Sequence, residues 1–369
     1  MADALEEIEF PCSSCGSDLR YEPGKDSLTC EHCGTENALE KPDDGQGSGI
    51  DELDFQSALN AQLPEAQEAE VRTLSCDSCG ARIEFDPDLH ASECPFCASP
   101  VVTDTGPQRQ IKPAALLPFV KSEKEARAAM TKWLGKLWFA PSGLQEYARK
   151  GRAMQGIYVP FWTYDADTKS HYRGQRGTYY YVTRSVQVEV DGKMQTEQRE
   201  ERKTRWHRVS GRVARAFDDV LVLGSKSLPR SHTDALAPWE LGQLETYDPA
   251  YLAGFRAESY TVDLPEGYTE AVNVMNNRIE QDVLDDIGGD EQHVDHVDTD
   301  ISDVTFKHIL LPVWLAAYRF KNKSYQFVVN GQNGKVRGER PYSKGKIALT
   351  VLGGVIIIAA LVFFLGGEG

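Results

Sequence analysis

Cysteine is the residue type that could do the most chemistry in this chain, and its spacing is regular. The eight cysteines read Cys12-x2-Cys15, 14 residues, Cys30-x2-Cys33, then Cys76-x2-Cys79, 14 residues, Cys94-x2-Cys97, so the second quartet is the first displaced by 64. The same offset carries Gly16 onto Gly80, Leu19 onto Ile83, and Tyr21-Glu22-Pro23 onto Phe85-Asp86-Pro87. The repeat is therefore structural as well as chemical. A Cys-x2-Cys turn presents two thiolates about one ligand edge apart, and two such turns brought together close a tetrahedron around zinc. The expected cofactor is Zn²⁺ at two structural sites, ligated by Cys12, Cys15, Cys30 and Cys33 and by Cys76, Cys79, Cys94 and Cys97. Four thiolates leave no open position for a catalytic metal. Two quartets of identical spacing also argue against a redox Cys-x2-Cys, and no oxidising compartment is indicated that would favour disulfides. His32 and His90 lie nearby as surface-loop residues.

Each quartet must be positioned by a short hairpin that returns the second cysteine turn to the first. Gly16, Gly34 and Gly80 follow knuckle cysteines, where a tight backbone lets amide N–H groups face sulfur. A unit this small cannot bury enough apolar surface to fold alone, so metal binding, about 10–16 kcal/mol per site, supplies the folding energy. The expected organisation is a zinc ribbon over 10–37, an acidic linker over 38–71 with a short helix around Leu53 to Leu63, a second ribbon over 72–104, and an α+β domain over 110–343 with an internal β repeat.

Charge is divided as unevenly as the cysteines. The chain carries 56 acidic and 40 basic residues, a net of −16; residues 1–110 hold 24 acids and 6 bases, a net of −18, which leaves +2 for the remainder. Phosphate binding draws its affinity from clustered Lys and Arg. The N-terminal third is thus suited to protein partners, and nucleic acid is not the expected ligand there.

The first ten residues, MADALEEIEF, lack a basic segment and an apolar run, and so do not read as a secretory signal. Near the other end, 347–365 (IALTVLGGVIIIAALVFFL) is free of charge and would span roughly 28 Å as a helix. It reads as a transmembrane helix. Lys335, Arg337, Arg340, Lys344 and Lys346 precede it, which predicts a single-pass protein of the inner or cytoplasmic membrane with its N-terminal bulk in the cytoplasm.

In the central domain, Ser122 with Glu125 predicts a capping box ahead of a helix whose apolar stripe is Ala126, Met130, Trp133, Leu134 and Leu137. Ala271, Met275, Ile279, Val283 and Ile287 recur at four-residue steps and predict a second helix over about Thr269 to Ile287, stopped by Gly288-Gly289. The rest reads as strand: Ile157–Tyr164, Thr178–Val190, Arg205–Val213, Val220–Leu223, and a hairpin of Phe306–Phe320 with Tyr325–Val329, followed by a turn at Asn333-Gly334. Ile157-Tyr-Val-Pro160-Phe-Trp162 is echoed by Ile309-Leu-Leu-Pro312-Val-Trp314 and by Leu116-Leu-Pro118-Phe119. Proline inside a strand implies an edge or a bulge.

Two segments carry further chemistry. Arg199 to Arg215 holds seven Arg or Lys around Trp206, and Arg202, Lys203, Arg205, Trp206, Arg208 and Arg212 form a candidate contact for an anionic partner. The alternation around Trp206, Arg208, Ser210 and Arg212 instead fits one solvated face of a strand, the preferred reading. Asp290 to Asp300 offers His293, His296 and five carboxylates, read as a solvated acidic loop or strand in preference to a metal site. No phosphate loop, dinucleotide fingerprint, H-E-x-x-H or nucleophile elbow is present, and no catalytic residue is assigned.

The two quartets resemble transcription-factor-IIB-type zinc ribbons. Gly156-Ile-Tyr-Val-Pro-Phe-Trp-Thr-Tyr-Asp165, Asp286-Ile-Gly-Gly-Asp-Glu-Gln292, Phe306 to Trp314 and Val329-Asn-Gly-Gln-Asn-Gly-Lys-Val336 are similar to a bacterial family of zinc-ribbon proteins with a large uncharacterised domain, over most of residues 70–343. Members are often labelled primosomal protein N′, a replication-restart helicase, and similar proteins are found beside phage-shock and stomatin-like membrane proteins. The resemblance implies a membrane-associated, non-enzymatic adaptor or scaffold that recruits protein partners through its acidic ribbons. The alternative is a nucleic-acid-associated ribbon protein without helicase activity, since the chain has no helicase motif.

Overall fold

A computed structural model of the protein describes residues 10–25, 27–39, 50–60, 63–64, 67–84, 94–97, 99, 103–139, 154–190, 193–320, 323–339 and 343–365. In chain order the first elements are the ribbon strands β1 (Leu19–Tyr21), β2 (Ser27–Cys30) and β3 (Glu36–Ala38), then β4 (Leu53–Asp54) and the short helix α1 (Phe55–Leu59). There follow β5 (Glu68–Ser75), β6 (Arg82–Glu84), β7 (Thr103–Ile111), β8 (Ala115–Leu116) and α2 (Glu123–Gly135). The capping box at Ser122 and Glu125 is present, and Ala126, Met130 and Leu134 of the expected stripe are buried.

The body is organised by three very long strands, β9 (Gln155–Val190), β10 (Lys193–Leu223) and β13 (Glu291–Phe320). Between β10 and β13 lie α3 (Arg230–Asp234), β11 (Glu245–Thr246), β12 (Arg256–Ala257) and α4 (Leu264–Ile287); β14 (Lys323–Asn330), β15 (Val336–Gly338) and α5 (Lys344–Leu365) complete the chain. The central sheet runs β10-β9-β13-β14-β15, with β9 antiparallel to both β10 and β13. Expected strands over Thr178–Val190 and Arg205–Val213 are thus parts of continuous ladders. Alternating β-branched and aromatic residues give no local signal for where such a ladder ends.

The sheet kinks at one level of β9. Opposite Asp165 and Ala166, β10 bulges between Phe217 and Val220 and β13 bulges between Ser302 and Thr305. Asp219 and Asp303, at φ 53° and 54°, supply the left-handed residues these bulges need, and the Asp219 N–H donates to Asp165 Oδ1 at 2.5 Å. On one side of the kink lie the large cores, which include Tyr158, Phe119 and Trp314, then Val159, Ile309 and Leu311, then Trp162, Tyr164 and Phe306. α4 begins against the last of these, burying Ala271 and Met275 beside Trp162 and Tyr164, and passes to the other side of the kink, where Ile279, Val283 and Ile287 pack with Tyr172. Steps of four follow the helix ridge that packs into a neighbouring groove, and each such side chain contributes about 1.5–3 kcal/mol on full burial. The helix begins two turns earlier than its apolar stripe, capped by Asp263 accepting from the Glu266 N–H at 2.9 Å, and stops at Gly288.

The two echoed segments pair with each other. Ile309, Leu311 and Val313 oppose Phe161, Val159 and Ile157, and β8 joins the same ladder in parallel at Ile309 and Leu310. The prolines sit where the ladder changes neighbours: Pro160 lies just past the end of β10 and its carbonyl accepts from the Gly224 N–H, while Pro312 lies between the ends of β8 and β14 and accepts from the Gly331 N–H. A missing N–H costs nothing at such a junction.

The expected C-terminal span is corrected. Among the described residues no helix is long and apolar enough to cross a membrane. The transmembrane helix over 347–365, the tail-anchored membrane partnership and the single-pass inner-membrane location fall with it.

Candidate metal centres

In the first ribbon the antiparallel pairs β1–β2 and β2–β3 bring the two cysteine turns together. Cys12 Sγ lies 3.6 Å from Cys33 Sγ, and Cys15 Sγ lies 3.6 Å from Cys30 Sγ. In the second, Cys76 to Cys97 is 3.6 Å and Cys79 to Cys94 is 3.7 Å. A disulfide would need about 2.05 Å. Four sulfurs held about 2.3 Å from one ion have edges of about 3.8 Å, so these spacings match those of a tetrahedral metal site. Each quartet draws its ligand atoms within 4.8 Å of one another, and either can hold a metal ion. Gly16, Gly34 and Gly80 have φ of 73°, 74° and 75°, and the amide of Gly16 bonds back to the Cys12 carbonyl at 2.9 Å. Ser14 N–H donates to Cys12 Sγ at 3.4 Å, the amide-to-sulfur contact expected of the knuckle.

Proton sharing follows from this crowding. The Thr35 hydroxyl and N–H hold the Cys33 thiol down at about 6, and contact with Cys79 holds the Cys94 thiol at about 5 while Cys79 is pushed up. A divalent cation would replace the shared protons.

The centres differ in their surroundings. Cys15 and Cys33 are exposed, whereas Cys94, Cys97 and Phe96 are buried in the same core as Leu223, Leu228 and Val328. The second ribbon is stitched to the body by Ser259 N–H to the Arg82 carbonyl and by Gln326 Nε2 to the Phe96 carbonyl. The first docks through the opposite end of its hairpin: Tyr21 N–H donates to the Ala253 carbonyl at 3.0 Å, and its ring lies 5.2 Å from that of Tyr251. Asp18, Glu31 and Glu36 of this ribbon are exposed, Glu31 paired with Arg20 at 2.9 Å and Glu36 with Lys25 at 3.2 Å. His32 is exposed, and His90 with 85–87 lies outside the described residues.

The six basic-segment candidates do not form one surface. Arg202, Trp206, Arg208 and Arg212 alternate onto the sheet face opposite α4, while Lys203 and Arg205 lie on the α4 face; Arg202 stacks over Tyr179 at 4.2 Å and Arg205 over Tyr180 at 4.9 Å. His293 and His296 lie on β13, where the bulge at Asp295 intervenes, and belong to no candidate metal group among the described residues.

Sequence reasoning missed two polar clusters, each built on one buried charged residue. Lys307 joins Glu52, Asp165 and Asp219, and a lysine interrupting the apolar run Phe306 to Leu315 was its only local signal. Glu258, 1% exposed, accepts from the Ser225 hydroxyl at 2.7 Å, and burial pushes its carboxyl up to about 8. Nothing in the segment Phe255 to Tyr260 marks that glutamate as internal.

The chain is 26% identical over 369 residues, 98% of its length and 99% of the other's, to the uncharacterized protein YdjG of Bacillus subtilis (strain 168). No family model and no solved structure matches.

Proposed function

We propose that this protein is a non-enzymatic zinc-ribbon adaptor of the transcription-factor-IIB-type ribbon class, in which the second ribbon is a structural staple and the first presents an acidic, metal-bearing tip to a protein partner. The observation that carries the reading is the contrast between the centres: one quartet is sunk in the main core, and the other leaves Cys15 and Cys33 exposed on a ribbon whose Asp18, Glu31 and Glu36 are exposed too. A purely structural site needs no such exposure. With a net of −18 over residues 1–110, and two further negative charges on any zinc tetrathiolate, this end favours a basic protein surface and repels polyanions.

Zinc is the metal the donor set favours, because four thiolates at tetrahedral spacing suit it better than calcium or magnesium. The dispersal of Arg202, Lys203, Arg205, Trp206, Arg208 and Arg212 over two faces counts against the nucleic-acid alternative.

Proteins co-purifying with the full chain should be lost from a variant carrying Asp18→Lys, Glu31→Lys and Glu36→Lys, and retained by one carrying three comparable reversals on α4. In parallel, DNA and RNA should bind no better than about 10⁻⁵ M at physiological salt. Partners retained by the ribbon variant would refute the adaptor reading. A sub-micromolar, salt-steep nucleic-acid complex would replace it with the alternative.

A further inference from the structure

Beyond Gly177, β9 has lost its β13 neighbour: the last β13 pairing is Glu291 with Gly177, yet the β9–β10 ladder continues from Thr178 and Arg205 out to Val190 and Lys193. These 13 pairs form a two-stranded arm with no third strand and no covering helix among the described residues. An isolated hairpin is marginal in water, and a long unpaired edge is a template for another strand. Along the arm the described β10 side chains are exposed except for the half-buried Thr204, with Met194 at 63% and Trp206 at 42%.

We propose that the β10 edge of this arm, residues 194–206, pairs antiparallel with the same edge of a second copy about a two-fold axis at Glu200. The sequence of the edge, M-Q-T-E-Q-R-E-E-R-K-T-R-W, is complementary to itself in that register. Arg199 faces the partner's Glu201, Glu197 faces the partner's Lys203, Gln198 faces the partner's Arg202, Thr196 faces the partner's Thr204, and Met194 covers the partner's Trp206. Each relation occurs twice, as an isologous contact requires, and opposite charges directly across strands are favourable.

Other registers that keep α4 on the same sheet face in both copies must shift by two residues. One sets Arg199 against itself and Glu197 against Glu201; the other sets Arg199 against Lys203. Of these three registers the Glu200 one alone has no like-charge pair away from the axis, and larger even shifts shorten the overlap or carry it into the body. The Glu200 register also relieves the ladder, where Arg199 stands directly opposite Arg184 and pairs with the exposed Glu197 at 3.0 Å, while Arg184 lies 3.8 Å from Glu201. The overlap ends at Trp206, at the level of Gly177, where the body and α4 begin. Each arm tip therefore reaches the base of the other arm without entering its body. The result is a four-stranded sheet, β9-β10 of one copy continued by β10-β9 of the other.

The test is sedimentation velocity of the full chain across the micromolar range, with three variants. The parent should dimerise reversibly. Arg199→Glu, which turns two attractions into repulsions, should weaken the dimer about tenfold or more, and adding Glu201→Arg in the same chain should restore it. Glu200→Cys places two thiols across the axis and should give a disulfide-linked dimer on mild oxidation that the parent does not give. A parent that stays monomeric overturns the proposal, and so does a dimer indifferent to Arg199→Glu or a Glu200→Cys chain that does not cross-link. A dimer built on the β13 edge or on α5 would give the last two results.

Discussion

Lys307 on β13 and Glu52 at the start of the body are 255 positions apart, and the lysine ammonium lies 3.0 Å from the glutamate carboxylate. Asp165 and Asp219 complete the surround at 3.6 and 2.9 Å, and Lys307 is only 7% exposed. Burial disfavours the charge, but hydrogen bonds to Asp219 and Glu52 outweigh it and hold the amine above its ordinary value. The cluster sits at the sheet kink, where the bulges bring the acids together. Lys307→Met should therefore destabilise the protein by about 1–3 kcal/mol, because it leaves the half-buried Asp165 and Asp219 carboxylates without their cation. Adding Asp165→Asn and Asp219→Asn should recover part of that loss in denaturant titrations.

The two centres should respond differently to loss of a ligand. Full-length protein prepared reduced should hold about two zinc ions. Cys97→Ser should lower the main unfolding transition, because that sulfur shares a core with Leu223 and Val328. Cys33→Ser, at an exposed tip, should release one zinc and leave the main transition nearly unchanged by calorimetry. Equal effects would mean that the first ribbon is as integral as the second.

Glu258 should make stability depend on pH. Its carboxyl titrates at about 8 when folded, against 4.5 for an ordinary glutamate. Between those values the folded state binds more protons, so this group's contribution is fully present below about pH 4.5 and is lost as pH rises through 8, at up to about 1.4 kcal/mol per pH unit. Glu258→Gln should raise the melting temperature at pH 8 and leave it little changed at pH 5.

Gly267 is where α4 meets the body. A Cβ there would lie 2.6 Å from the Tyr164 hydroxyl and 2.9 Å from Trp162 Cδ1, side chains that are themselves fully buried. Gly267→Ala should cost about 1–3 kcal/mol despite improving helix propensity, because the helix has to lift off the sheet. Gly242→Ala, with open space around its Cβ position, is the matched control in thermal melts.

The sequence by itself determined what depends on short-range spacing. The cysteine repeat specified two four-sulfur centres, because two turns and a hairpin bring the ligands together within about 25 residues. Ser122 with Glu125 and the four-residue steps from Ala271 to Ile287 likewise specified helices, since capping and stripe are local properties. Tertiary structure decided where long-range pairing sets the outcome. Nothing in the alternation of residues 155–223 says that β9 runs unbroken past the end of its β13 partner, or that Lys203 and Arg205 face away from Trp206 and Arg208. The apolar run at 347–365 gave a strong local reading of a membrane span that the described helix does not sustain. Which ribbon is buried and which is exposed was also invisible in two quartets of identical spacing, because that difference comes from what packs against Phe96 and Tyr21.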